Sequence, residues 1–154
     1  MNNPKTETII LPFPPSVNAV YRTKAFISKK TGKPQSMPIL SEQGRKYVKE
    51  VEKIIAYMDK EWFGKARLKV EIFAFASDER RRDLGNLDKI LMDSLQKSGV
   101  YENDCQIDDQ RFIRGKKCYG VHPTVLVVLT EITKDERPEC ECIGCKEHYY
   151  ENIN

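Results

Sequence analysis

The spacing of apolar and polar positions changes period several times along the chain, and each change marks an element. Thr8-Ile9-Ile10-Leu11 reads as a first strand, ended by Pro12, Pro14 and Pro15. Residues 25–28 and 35–40 flank a turn at Lys29-Lys30-Thr31-Gly32-Lys33 and predict a hairpin. Its second arm contains Pro38, which has no N–H to donate, so that arm belongs at a sheet edge. Ser41 with Gly44 opens a long helix in which Tyr47, Val51, Ile54, Ile55 and Met58 recur at helical spacing through about Asp59. Leu68 to Phe75 alternates with period two, as a half-buried strand does. A second helix is predicted from Asp83 to Lys97, stopped by Gly99. On it Leu84, Leu87, Leu91 and Leu95 share one face, and Arg82, Asn86, Lys89, Asp93 and Lys97 share the opposite one. Strands over Gln106 to Lys117 and Thr124 to Thr130, separated by a turn at residues 120–123, complete the sheet. The order β-β-β-α-β-α-β-β implies an α+β fold, a mixed sheet with two helices packed on one face.

At 154 residues the chain suits one compact domain, assigned to residues 1–133, with a polar, cysteine-containing tail at 134–154. Hydrophobic residues make up 40% of it, enough to bury a core and to exclude wholesale disorder. No apolar run approaches the roughly 20 residues of a membrane-spanning helix, and residues 1–7 lack the apolar stretch of a signal peptide. A cytoplasmic protein with no membrane partner is expected. The net charge of +3 says little by itself, but its distribution says more. Basic residues cluster at Arg80-Arg81-Arg82, around the hairpin at Lys24, Lys29, Lys30 and Lys33, and at Arg111, Arg114, Lys116 and Lys117. Acidic residues from Glu136 to Glu151 offset them. Such clusters are ordinary solvated surface unless they surround a site.

The segment with chemical content runs from Asp78 to Lys89 and continues at Asn103-Asp104-Cys105-Gln106. Asp83 at the start of a helix has a plain structural reading, a cap bonding to the Asn86 N–H, which the helix dipole favours. A second carboxylate, Asp104, follows the helix, and a return loop folded back along it would bring the two together. Two carboxylates among lysines and arginines make an oxygen-rich site suited to Mg²⁺ or Mn²⁺ rather than zinc. Lys89 beside them would offset charge on a phosphoryl transition state.

The string Arg80-Arg81-Arg82-Asp83-Leu84-x-Asn86-Leu87-x-Lys89, followed by Gly99 and Asp104-x-Gln106, resembles the RusA family of Holliday-junction resolvases. So does Leu11-Pro12-Phe13-Pro14-Pro15-Ser16-Val17-Asn18 with Tyr21-Arg22, and the likeness covers roughly residues 6 to 132. The resemblance implies a homodimeric, Mg²⁺-dependent endodeoxyribonuclease of recombination and repair, with Mn²⁺ able to substitute. Such an enzyme binds four-way or otherwise branched DNA and nicks it in symmetric pairs; prophage-encoded members fit the same picture. It places the metal on Asp83 and Asp104 and catalysis on Asp83, Lys89 and Asp104. It assigns DNA contacts to Pro15, Ser16, Asn18, Arg22, Arg80, Arg81, Arg82, Asn86 and Lys89.

Two positions depart from the family pattern. Gly85 stands where a second carboxylate is usual, and Asn103 replaces an acid before Asp104. Either Glu102 or Asp78 makes up the missing oxygen, or the chain is a junction-binding protein of weakened or lost catalysis. Asp88 is a poor substitute at helical spacing, because it points toward the Leu84 and Leu95 face. The tail raises a separate question. Cys140, Cys142, Cys145 and His148 supply the donor set of tetrahedral zinc, the alternative being a reduced tail without metal.

Overall fold

The computed structural model describes residues 4–80, 82–120 and 122–133. Its elements are β1 (Thr6–Pro12), α1 (Val17–Val20), β2 (Tyr21–Ile27), β3 (Pro34–Leu40), α2 (Glu42–Met58), β4 (Leu68–Phe75), α3 (Gly85–Lys97), a 3₁₀ turn at Asp104–Gln106, β5 (Ile107–Arg114) and β6 (Thr124–Glu131). Four strands form one sheet in the order β1-β6-β4-β5, with β4 and β5 parallel and the other pairs antiparallel. The sheet is mixed and the class α+β, as expected. Helices number three among the described residues rather than two, because the single turn of α1 is too short to leave a periodic signal.

Alternation on β4 buries Leu68, Val70, Ile72 and Ala74 and leaves the intervening side chains half-exposed. With Ile9, Leu11, Val125, Val127 and Leu129 these residues meet the apolar stripes of α2 and α3 in one core. The stripe of α3 is wider than the leucine spacing indicates. Ile90, Met92 and Ser94 are buried beside Leu87, Leu91 and Leu95, leaving Gly85, Lys89, Asp93 and Lys97 exposed. Ser41 caps α2 by accepting from the Gly44 N–H at 3.1 Å and donating to the Ala19 carbonyl at 2.7 Å. Gly44 lets α2 approach α1 closely, since a Cβ there would lie 2.9 Å from the Val20 carbonyl oxygen.

β2 and β3 pair only with each other, a sheet of their own. β3 therefore has a free edge, which explains how it accommodates Pro34 and Pro38.

The connection from α3 to β5 doubles back and is held from inside. Tyr101 is buried and donates to the Met92 carbonyl at 2.8 Å. Gln106, also buried, donates through Nε2 to the carbonyls of Gly64 and Ala66 at 2.7 and 2.8 Å. Its Oε1 accepts from the Glu102 and Asn103 N–H groups at 2.8 and 2.7 Å. Gln106→Leu keeps approximate volume but removes the amide's bonds to the Asn103 N–H and the Ala66 carbonyl, each costing roughly 1–3 kcal/mol where water cannot replace them, while the Glu102 N–H and the Gly64 carbonyl keep their bond to each other at 3.2 Å. A loss of at least about 2 kcal/mol is expected in urea denaturation; an unchanged midpoint would show that the loop does not depend on this amide.

Candidate active site

α3 starts at Gly85, two residues later than the sequence pattern indicates, and Asp83 sits just outside it. Its Oδ1 accepts from the Gly85 N–H at 3.0 Å, and its backbone carbonyl accepts from the Asn86 N–H at 3.2 Å. Asp83 thus shapes the helix start, its side chain bonding the Gly85 N–H and its backbone carbonyl, rather than its carboxylate, taking the Asn86 N–H. Its carboxylate stays exposed and lines a cleft with Pro14, Pro15, Ser16, Arg80, Arg82 and Asn86. Five of the residues expected to contact DNA, Pro15, Ser16, Arg80, Arg82 and Asn86, therefore surround one carboxylate. Arg81 lies outside the described residues.

Arg82 is held in place. It pairs with Asp78 through both guanidinium nitrogens, one of them at 2.9 Å, and lies 5.6 Å from the centre of the Phe13 ring. Its carbonyl accepts from Arg114. The Arg82 guanidinium lowers the Asp78 carboxyl to about 2, helped by the Arg80 backbone N–H. Asp78 is thereby committed to an ion pair and is a poor replacement for the oxygen missing at Gly85.

Asp104 opens the 3₁₀ turn and lines a different cleft, beside the middle of α3, with Asp88, Lys89, Asp93, Asp108 and Gln110. Lys89 reaches Asp93 at 3.4 Å, and Tyr21 donates to the same carboxylate at 3.1 Å. Asp88 accepts from Gln110 at 2.6 Å. Burial pushes its carboxyl pKa up, with Asp93 adding to the rise against the Gln110 hydrogen bond. Asp88, set aside on helical spacing, is therefore half-buried on the wall of the cleft that holds Asp104. Glu102 is exposed and is not among the residues lining either cleft.

Asp83 and Asp104 are thus distributed over two clefts that share α3. The donors around Asp104 are carboxylates, the chemistry a hard cation prefers. Among the described residues no three acidic, histidine or cysteine side chains converge as a metal-binding group. Cys140, Cys142, Cys145 and His148 lie outside the described residues, as does the whole 134–154 tail.

The family model described as Endodeoxyribonuclease RusA matches residues 12–130, which include every element from α1 through β5 and both clefts. The chain belongs to the RusA family. It is 40% identical over 111 residues to a crossover junction endodeoxyribonuclease rusA of Enterobacteria phage HK97, covering 72% of this chain and 84% of that protein. It is 36% identical over 112 residues to its namesake from Shigella sonnei (strain Ss046), covering 71% and 82%. The likeness to the rusA protein of Enterobacteria phage 82 is 34% over 112 residues. RusA chemistry is hydrolysis of phosphodiester bonds in DNA, so the carboxylates and cations of these clefts belong to a nuclease. No helix among the described residues is long and apolar enough to cross a membrane.

The Asp78–Arg82 pair gives this site a pH signature. A carboxyl held below its ordinary 3.8 in the folded chain contributes stability that is complete above that value and is lost as pH falls toward about 2. Asp78→Asn should therefore be less stable than the parent at neutral pH and converge with it near the acid end of that window. Thermal melts across the range check this; a constant gap between the two proteins would contradict the pairing.

Proposed function

We propose that this chain is a Mg²⁺-dependent crossover junction endonuclease that binds four-way DNA and resolves it by paired symmetric nicks. The observation that carries the reading is the pair of clefts along α3, one lined by Asp83 with Arg80, Arg82 and Asn86, the other by Asp104 with Lys89. Four residues of helix from Gly85 to Lys89 rise only about 6 Å. One DNA strand laid along the exposed stripe of α3 can therefore meet both clefts.

Mg²⁺ is commonly held by one or two carboxylates plus substrate phosphates and water, without an all-protein cage. Asp83 and Asp104 suit that mode, with Asp88 and Asp93 as neighbouring acids. Bound there, such an ion activates water and stabilises the leaving oxygen. Lys89 offsets developing charge on the phosphate, and Arg80, Arg82 and Asn86 with Ser16 position the strand. Two related cuts call for two related sites, which a two-fold dimer supplies. The nuclease domain is assigned to residues 1–133 and the remainder to a tail whose Cys140, Cys142, Cys145 and His148 offer a zinc donor set.

Asp83→Asn and Asp104→Asn are each expected to reduce nicking of a synthetic four-way junction on the order of a hundredfold while junction binding survives. Either variant cutting at the parental rate would remove that residue from the site.

A second reading, junction binding with weakened catalysis, is favoured by Gly85 and by the lack of a converging acidic trio among the described residues. The substitution that separates the two is sterically permitted. Gly85 does not adopt a positive φ, and a Cβ there meets only Asp83 Oδ1, at 3.4 Å. If Asp88 and Asp93 already suffice, Gly85→Asp adds a like charge beside Asp83 and should give equal or slower nicking from an active parent. An inactive parent rescued by Gly85→Asp would establish the binding-protein reading.

A further inference from the structure

Between Glu7 and Glu42 the chain contains no acidic residue, although Asp and Glu make up 23 of its 154 residues, and it contains Arg22, Lys24, Lys29, Lys30 and Lys33. This stretch includes the β2–β3 hairpin. Residues 22–27 and 29–38 are exposed, so neither face of its outer part is covered by the body. Cross-strand partners share a face. The pairings Arg22↔Ile39, Lys24↔Met37 and Phe26↔Gln35 therefore place two cations, an aromatic ring and a thioether on one surface. Phe26 is 38% exposed and Met37 47%. At the turn Lys29, Lys30 and Lys33 add three more charges, with Gly32 at φ +64 closing it.

The root of this arm is tied to both clefts. α1, which leads directly into β2, follows the Pro14-Pro15-Ser16 segment on the wall of the Asp83 cleft. Tyr21, the first residue of β2, donates to Asp93 in the Asp104 cleft. A seven-residue strand reaches about 23 Å, a length over which duplex DNA carries on the order of a dozen phosphates.

We infer that the β2–β3 hairpin is a DNA-holding arm, separate from the cutting residues, that lies on the strands next to the branch point. Its lysines meet backbone phosphates, and Phe26 with Met37 packs against bases left unstacked at the branch. The charge favours this occupant over a second copy of the chain. Five cations with no intervening acid on two copies of one arm repel, whereas a polyanion gains by releasing counterions. An aromatic between cations is also the surface that grips unpaired bases. An isolated two-stranded hairpin is marginally stable in water, so contact with DNA would also order it.

The inference rests on the proposed function, and binding measured without divalent metal separates the two. Fluorescence anisotropy is read on a synthetic four-way junction and on a linear duplex of one arm, between about 50 and 200 mM salt. Replacing Lys24, Lys29, Lys30 and Lys33 together by Gln should lower the slope of log affinity against log salt by about three to four. Phe26→Ala should weaken junction binding roughly fivefold or more and leave duplex binding and the salt slope unchanged. An unchanged slope in the lysine variant, or parental junction affinity in Phe26→Ala, overturns the arm's role while leaving the nuclease reading intact. Light scattering on both variants covers the rival occupant. A fall in particle mass with unchanged DNA binding would make the hairpin a contact between copies. A parent that binds neither DNA overturns the proposed function as well as this inference.

Discussion

The side-chain amide of Gln106 has two donor hydrogens and two acceptor lone pairs, and the fold satisfies all four. They join two segments remote in sequence: the carbonyls of Gly64 and Ala66 before β4, and the N–H groups of Glu102 and Asn103 after α3. Two backbone bonds run between the same segments, from the Phe63 N–H to the Val100 carbonyl at 3.1 Å and from the Glu102 N–H to the Gly64 carbonyl at 3.2 Å. Val100 and Tyr101 add buried side chains, and Tyr101 is bonded to the Met92 carbonyl of α3. Asp104 lies between the Tyr101 and Gln106 anchors, and its place beside α3 follows from them. The acid itself is exposed, so its own contacts do not position it.

Division of labour along α3 comes from the same economy. The helix buries six of its 13 residues, leaving an exposed stripe for polar residues. That stripe carries Lys89 and Asp93 in its middle and begins beside Asp83. The arginines near its start are not all alike. Arg82 is fixed by Asp78 and by the face of Phe13, whereas Arg80 is largely exposed beside the same acid. A guanidinium restrained in this way loses little further freedom on meeting a phosphate, which suits it to positioning rather than to loose attraction.

Much of this was legible in the residues. Ser41 and Gly44 gave the start of α2, Asp59 its end with φ 45, and Leu68–Phe75 its strand without change of boundary. The resemblance carried by Asp83-Leu84-x-Asn86 and Asp104-x-Gln106 led to the right family. α1 was not legible, since four residues hold no period. Nor was the start of α3, because Asp83 has the chemistry of a first helical residue while acting one step outside. The surroundings of Asp88 differ from those its helical spacing indicates, for a physical reason. Helical spacing gives the direction of a side chain but not what lies over it. There Gln110 of β5 meets the carboxylate and turns a core-facing position into part of a cleft wall. The separation of Asp83 from Asp104 depends on the path of the return loop, which no local pattern encodes.

The most direct measurement is a crystal structure of the chain with a four-way junction and Mn²⁺, with data collected at the manganese absorption edge. The expected result is an anomalous peak in contact with an Asp104 carboxylate oxygen, on the side of α3 that carries Lys89, with the DNA strand continuing past Asp83. Manganese bound elsewhere, with Asp104 turned away from both metal and DNA, would contradict the placement of the cutting site along α3.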